Sequence, residues 1–283
     1  MTVRNLLNDG IAFLKNASVE NAEAEAMWML EAALDCGRTE LILNGEKAVN
    51  EKNGQKYSDM LSQRANGRPV QYIIGSWNFF GNEFSVGEGV LIPRPETELL
   101  VEFAESCMKG GGKKIVFDLC AGSGCIGLSV ARLFPESRVY LIEKSPEAFK
   151  YLSKNKDSLN CRNAEIISGD IFDGFKAFDL PKPDIILSNP PYIESDLLPE
   201  LQREVQNEPS AALDGGSDGL DFYRALAKSW LPFTGTAAVE CGEGQAEKIR
   251  ELFSEEFTST DVILDFNGIE RVVTGKERKH HDF

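Results

Sequence analysis

Residues 114–134 read KIVFDLCAGSGCIGLSVARLF. The run KIVFDL over 114–119 predicts a strand and 124–133 predicts a helix, with a glycine-rich turn between them. The same alternation extends to both sides. Upstream, a helix is expected over 96–108 after a Pro-x-Pro entry. Downstream, strands at 138–142, 164–168, 184–188 and 235–241 alternate with helices at 146–156, within 218–230 and at 244–256. Two closing strands are expected near 260–266 and 270–275. Strands separated by helices imply an α/β fold with a parallel sheet covered on both faces. Ligands of such sheets bind outside the carboxyl ends of the strands.

Residues 1–66 have a different rhythm. Leu6, Leu7, Ile11 and Leu14 fall on one helical face. Ala26, Met27, Leu30, Ala33 and Leu34 make a second stripe, and Tyr57, Met60 and Leu61 a third. Ser18 and Thr39 are placed to cap two of these helices. Residues 69–92 are rich in β-branched and aromatic side chains punctuated by glycine, a hairpin signal. The expected organisation is a helical bundle domain over 1–68, a β-hairpin linker over 69–92 and an α/β domain over 93–283.

Composition narrows the chemistry. The 283 residues carry 30 Lys+Arg against 45 Asp+Glu, a net charge of −15. The excess is spread, with 8 basic and 12 acidic residues in 1–90 and 22 and 33 in 91–283. No basic module is present, which argues against phosphate-driven nucleic-acid binding. Only two histidines occur, His280 and His281, so a His-based triad or a multi-His metal site is excluded. The six cysteines form no CxxC pair and read as reduced thiols. With no signal-peptide core and no apolar run near the ~20 residues that span a bilayer, the chain reads as cytoplasmic, with no membrane partner.

Three features mark a ligand site at successive strand ends. Gly122, Gly124 and Gly127 match G-x-G-x-x-G at a strand–helix turn, where a ligand approaches the backbone closely. Glu143, 21 residues after Gly122, is placed to accept from ribose hydroxyls. Together they suit an adenosine cofactor, either NAD or S-adenosylmethionine. Asp118 tilts the balance toward S-adenosylmethionine without settling it. Asp170 follows the next strand beside an adenine edge, with Ile171 and Phe172 as apolar cover.

Asn189-Pro190-Pro191-Tyr192, directly after the apolar strand DIILS, carries the most chemical information. Asn189 before proline is driven to an extended conformation, and neither proline has an N–H to donate. The loop therefore offers acceptors for a planar NH2 group: the Asn189 side-chain carbonyl and the Pro190 backbone carbonyl, beside the Tyr192 ring. An amide or exocyclic amine is a poor nucleophile because its lone pair is delocalised. Two acceptors return density to nitrogen and hold it in line with an electrophile, and positioning of this kind contributes up to about 7–11 kcal/mol. No general base is needed, because the proton becomes acidic only after methylation.

On these residues the chain resembles the HemK-type (PrmC-like) N5-glutamine methyltransferases, which act on the Gly-Gly-Gln motif of peptide chain release factors. Gly67-Arg68-Pro69-Val70-Gln71-Tyr72-Ile73-Ile74-Gly75 is similar to the family's GxPxQYIxG signature. VLIPRPETE over 90–98 is similar to its next one. The resemblance covers essentially the whole length. It implies a Rossmann-like S-adenosylmethionine-dependent methyltransferase sheet with a small N-terminal helical bundle that docks substrate. It also implies that Cys120, Ala121, Gly122, Ser123 and Gly124 surround S-adenosyl-L-methionine. Glu143 would take the ribose, Asp170 and Ile171 the adenine region, and Asn189 a further cofactor contact. Asn189, Pro190, Pro191 and Tyr192 would hold the substrate amide, with Asn189, Pro190 and Tyr192 catalytic. The implied partner of this monomer is a release factor. Alternatives are a ribosomal-protein glutamine or an N6-adenine in nucleic acid. Three positions depart from the family pattern: Glu143 for a more frequent Asp, and Ile171 and Asn207 for aromatic residues.

Overall fold

Thr2 opens the first helix, its hydroxyl accepting from the Asn5 N–H at 3.2 Å. In this computed structural model, which describes residues 1–279, four further helices follow. The set is α1 (Val3–Asn16), α2 (Ala22–Leu34), α3 (Arg38–Leu43), α4 (Glu51–Ala65) and α5 (Val70–Ile74). The expected stripes meet inside this unit: Leu6 and Leu14, Ala26, Leu30 and Ala33, and Tyr57, Met60 and Leu61 are all buried. Side-chain caps come from Thr2 and Asn50 and not from Ser18 or Thr39. Ser18 instead takes a left-handed turn at φ 59° that ends α1, and Thr39 already lies inside α3. Arg64 on α4 is buried between Glu25 of α2 and Glu204. Glu204 belongs to the segment Gln202–Asn207, which forms one compact unit with Met1–Ser76.

The stretch expected as a hairpin over 69–92 divides. Pro69 presets the entry to α5, and Gly75 closes it at φ 87° with its N–H on the Gln71 carbonyl. Only β1 (Ser76–Phe79) and β2 (Asn82–Ser85) pair as a hairpin. A five-residue stretch with three β-branched residues, Val70, Ile73 and Ile74, does not by itself distinguish a helical turn from a strand.

The second unit holds Trp77–Leu201 and the chain from Glu208 onward. Its elements are α6 (Glu98–Met108), β3 (Ile115–Leu119), α7 (Cys125–Leu133), β4 (Arg138–Glu143), α8 (Pro146–Ser158), β5 (Ala164–Ser168) and β6 (Ile185–Ser188). They continue as α9 (Asp221–Ser229), β7 (Thr236–Glu240), α10 (Ala246–Glu256), β8 (Phe257–Leu264) and β9 (Glu270–Arg278). The seven-stranded sheet runs β5-β4-β3-β6-β7-β9-β8, parallel except for β9. One apolar layer, with Leu100, Leu128 and Leu152, covers one face. A second layer, with Phe117, Tyr223, Trp230 and Phe253, covers the other. The strand order reverses between β3 and β6, which opens a crevice at their carboxyl ends. The closing strands are longer than expected, because α10 passes into β8 at Phe257 with no turn between them. His280 and His281 lie outside the described residues.

Candidate active site

The crevice is a cavity of about 550 Å³ lined entirely by the second unit. That is the size of a pocket for a nucleoside-sized ligand. Cys120, Ala121, Gly122, Ser123, Glu143, Asp170, Ile171, Asn189 and Pro191 all reach its wall. Gly124, Pro190 and Tyr192 do not.

The glycine turn shows why each position is small. Gly122 has φ 56°, and a Cβ there would point into open space, so the backbone is exposed to whatever fills the cavity. A side chain at Gly124 would instead strike Leu152, and one at Gly127 would strike Leu141 and Asp118. Asp118 is buried and accepts the Gly127 N–H at 2.8 Å, pinning the start of α7. Its other oxygen has no hydrogen-bond partner, and burial with the neighbouring Glu143 pushes its carboxyl up to about 7.

Glu143 closes the turn from the next strand. Its Oε2 accepts from Gly122 N at 2.7 Å and its Oε1 from Ser145 N at 2.6 Å. Each oxygen keeps a lone pair for a hydroxyl donor. Asp170 pairs with Lys144 at 2.7 Å and accepts from Phe172 N at 3.1 Å. Partial burial works against ionisation there, but these two contacts outweigh it and hold the carboxyl below the usual range. Phe172, 51% exposed, packs edge-on against Phe222 at 4.9 Å, and both rings face the cavity. Below them the Trp230 indole N–H donates to the Ile171 carbonyl at 2.8 Å.

On the opposite wall, Ser188 donates to the Leu119 carbonyl at 2.6 Å and locks the end of β6 to the end of β3. Asn189 follows directly, half-buried. Its Nδ2 donates to Thr97 Oγ1 at 3.1 Å. The Tyr192 carbonyl accepts from Gln245 Nε2 at 2.9 Å, and the Tyr192 hydroxyl lies 3.5 Å from Glu240 Oε1. Residues 89–94 and Thr97 form the remaining wall. Their course is set by Glu208, which accepts from Ile92 N at 3.0 Å and pairs with Arg94. Asn207, where the family pattern has an aromatic residue, donates to the carbonyls of Gly67 and Arg203 within the helical unit. Gln71 and Tyr72 lie on α5 and do not line the cavity.

Sequence reasoning missed Phe222 and Glu240 and did not single out Thr97. Glu240 follows the same rule as Glu143, an acid at the end of a parallel strand, and could have been found by it. Two of the six thiols, Cys120 and Cys125, also line the cavity. Burial, aided by Glu143 beside Cys120 and Asp118 beside Cys125, pushes both well above the ordinary thiol range. Among the described residues no group of His, Cys, Asp and Glu is arranged to hold a metal ion, and no helix is long and apolar enough to cross a membrane.

Comparison with known proteins gives the same architecture and a name for its relatives. Residues 5–75 match the family described as the PrmC N-terminal domain, and residues 94–214 match Conserved hypothetical protein 95. A release factor glutamine methyltransferase from Geobacter sulfurreducens is 39% identical, covering 97% of this chain and 96% of its own. One from Clostridium acetobutylicum is 35% identical, covering 96% and 98%. Among solved structures, a methyltransferase from Pyrococcus furiosus superposes with TM-score 0.51 at 16% identity, covering 77% of this chain and 98% of that one. The rRNA methyltransferase RsmC from T. thermophilus, solved with AdoMet and guanosine, gives 0.52 at 19% identity, covering 72% and 50%. At such identities the structural likeness concerns the fold alone.

Proposed function

The chain belongs to the release factor glutamine methyltransferase family, and from that premise we propose how its cavity serves the reaction. It transfers a methyl group from S-adenosylmethionine to the side-chain amide nitrogen, N5, of the glutamine in the Gly-Gly-Gln motif of a peptide chain release factor. One observation carries this reading: Asn189 and Pro191 stand on the wall of the cavity that Gly122 and Glu143 close from the other side.

The residues present fit the donor. The open space over Gly122, the two Glu143 oxygens, and the Phe172–Phe222 pair beside Asp170 match backbone, ribose and adenine in turn. When bound, S-adenosylmethionine supplies an electrophilic methyl on a positively charged sulfur. Cys120, Ala121, Gly122 and Ser123 would line it, with Gly124 shaping the turn and Ile171 on the adenine side. Asn189 Oδ1 accepts one N–H of the substrate amide and the Pro190 carbonyl accepts the other. Tyr192, braced by Gln245, fixes the loop behind them. The two acceptors bias nitrogen toward a pyramidal, nucleophilic shape and aim its lone pair. The departing proton goes to water, so no histidine is required.

With a net charge of −15, the chain suits a protein partner carrying basic patches better than a nucleic-acid one. We also propose that the protein acts as a monomer in the cytoplasm; a cavity whose every wall comes from one compact unit needs no second copy to complete it. The deciding experiment incubates the protein with labelled S-adenosylmethionine and either a release factor or total nucleic acid, and maps the methyl group. Label on the Gly-Gly-Gln glutamine is the expected result. Label on nucleic acid alone overturns it.

A further inference from the structure

Behind Asn189 runs a polar chain that the contacts above leave unused. Glu240, at the end of β7, is 2% exposed. Its Oε2 lies 2.6 Å from Thr97 Oγ1, and Thr97 Oγ1 lies 3.1 Å from Asn189 Nδ2. Thr97 is itself buried, so water does not compete for these bonds. A threonine hydroxyl has one proton. Donated to the Glu240 carboxylate, it leaves on Oγ1 only lone pairs, so the group facing Thr97 must be a donor. That forces the Asn189 NH2 toward Thr97 and turns Oδ1 the other way. Without an acceptor at Glu240 the hydroxyl proton is free to point at Asn189. The amide then rotates and meets a substrate NH2 with its own NH2, donor against donor.

We propose that Glu240, acting through Thr97, is the positioning residue that fixes the polarity of the Asn189 amide. The proposal rests on reading Asn189 as the acceptor for the substrate amide. The carboxylate reaches the loop a second time through Tyr192, whose hydroxyl is 3.5 Å from Oε1. The other groups facing it are Arg94 and Glu96 ahead of α6, Tyr223 of α9, Cys241 just after β7, and Arg271 of β9. Tyr223 donates to the Glu240 backbone carbonyl at 2.7 Å and so fixes the strand end. Burial pushes the Glu240 carboxyl up to about 7. The Thr97 hydrogen bond, Arg271 and Arg94 oppose that rise, and Glu96 adds to it. Protonation makes the second amide polarity available, so the device is sensitive to pH in the neutral range.

The test measures kcat and KM for a release-factor substrate, and donor affinity by calorimetry, in Thr97→Val, Thr97→Ser, Glu240→Leu and Glu240→Gln. Thr97→Val keeps the side-chain shape and removes the relay, so it serves where Glu240→Leu does not fold. Thr97→Val and Glu240→Leu are expected to lower kcat by about 10–100-fold, the worth of one hydrogen bond to a charged group, with donor affinity within about threefold. Thr97→Ser and Glu240→Gln, which retain an acceptor for the chain, return kcat to within about threefold at pH ~8. The parent protein loses turnover as pH falls through about 7, and Glu240→Gln does not. Unchanged kcat in Thr97→Val, or a Glu240→Gln profile that follows the parent, overturns the proposal. Full turnover in Asn189→Ala would overturn the reading of the amide clamp instead.

Discussion

The carboxylate of Glu143 accepts the backbone N–H of Gly122 at 2.7 Å, joining the end of β4 to the turn after β3. One side chain thus shapes the turn and, in the proposed complex, offers ribose its remaining lone pairs, so its loss would remove a support and a contact together. Glu143→Ala is expected to weaken donor binding by about 10–100-fold, and Glu143→Gln, which keeps one acceptor, by less. Calorimetric titration with S-adenosylmethionine checks the order. Equal affinities in the three proteins would contradict it.

Asn189→Ala separates binding from transfer. Its side chain touches Thr97 and no residue of the glycine turn among its hydrogen-bond partners. Single-turnover rates are expected to fall by about 100–1000-fold, the usual cost of a preorganised polar contact to the reacting group, with donor affinity near the parent value.

Asp170→Ala probes the adenine end. The carboxylate is tied to Lys144, so in the proposed complex adenine would share it with that lysine. The expected result is a roughly 5–20-fold weaker donor, with the rate at saturation unchanged. A fall in the saturated rate would place Asp170 in a different role.

Asp118 sets a pH dependence of stability. Its carboxyl titrates at about 7 in the fold and at about 3.9 in an unfolded chain. Between those values the folded state binds more protons than the unfolded one. The contribution is therefore complete below about 3.9 and lost as pH rises toward about 7. Glu240 acts with the same sign, so the comparison is made on a Glu240→Gln background. There, Asp118→Asn should flatten the fall in denaturation free energy across this window, by at most about 1.4 kcal/mol per pH unit. An unaltered slope would mean that Asp118 is ionised in the folded protein.

In the helical unit the buried cation is the sensitive point. Arg64→Ala leaves Glu25 buried without its partner, at a cost of about 3–5 kcal/mol. Replacing both by leucine should recover most of the loss. Hydrogen exchange of the α2 and α4 amides reads the effect in this unit directly.

Local patterns made the architecture legible from the sequence. The strand 115–119 and helix 125–133 flank a turn whose glycines the backbone needs, and the NPPY loop follows a fully buried strand. Val70–Ile74 was not legible, since a short β-branched run suits either state and Gly75 decided for a helical turn. Nor was the link from Thr97 to Glu240. Those residues are 143 apart in the chain, and only the packing of α6 near the end of β7 brings them to 2.6 Å.

The two thiols in the cavity wall bear on what the protein does not do. Thiolate sulfur is the strongest nucleophile among the side chains, and a methyl donor bound in the proposed site would face two sites of self-alkylation, Cys120 and Cys125. Both are kept as neutral thiols by burial beside acidic neighbours. Burial first, and the acids that shape the turn second, thereby leave the cavity walls poorly nucleophilic toward an electrophilic ligand.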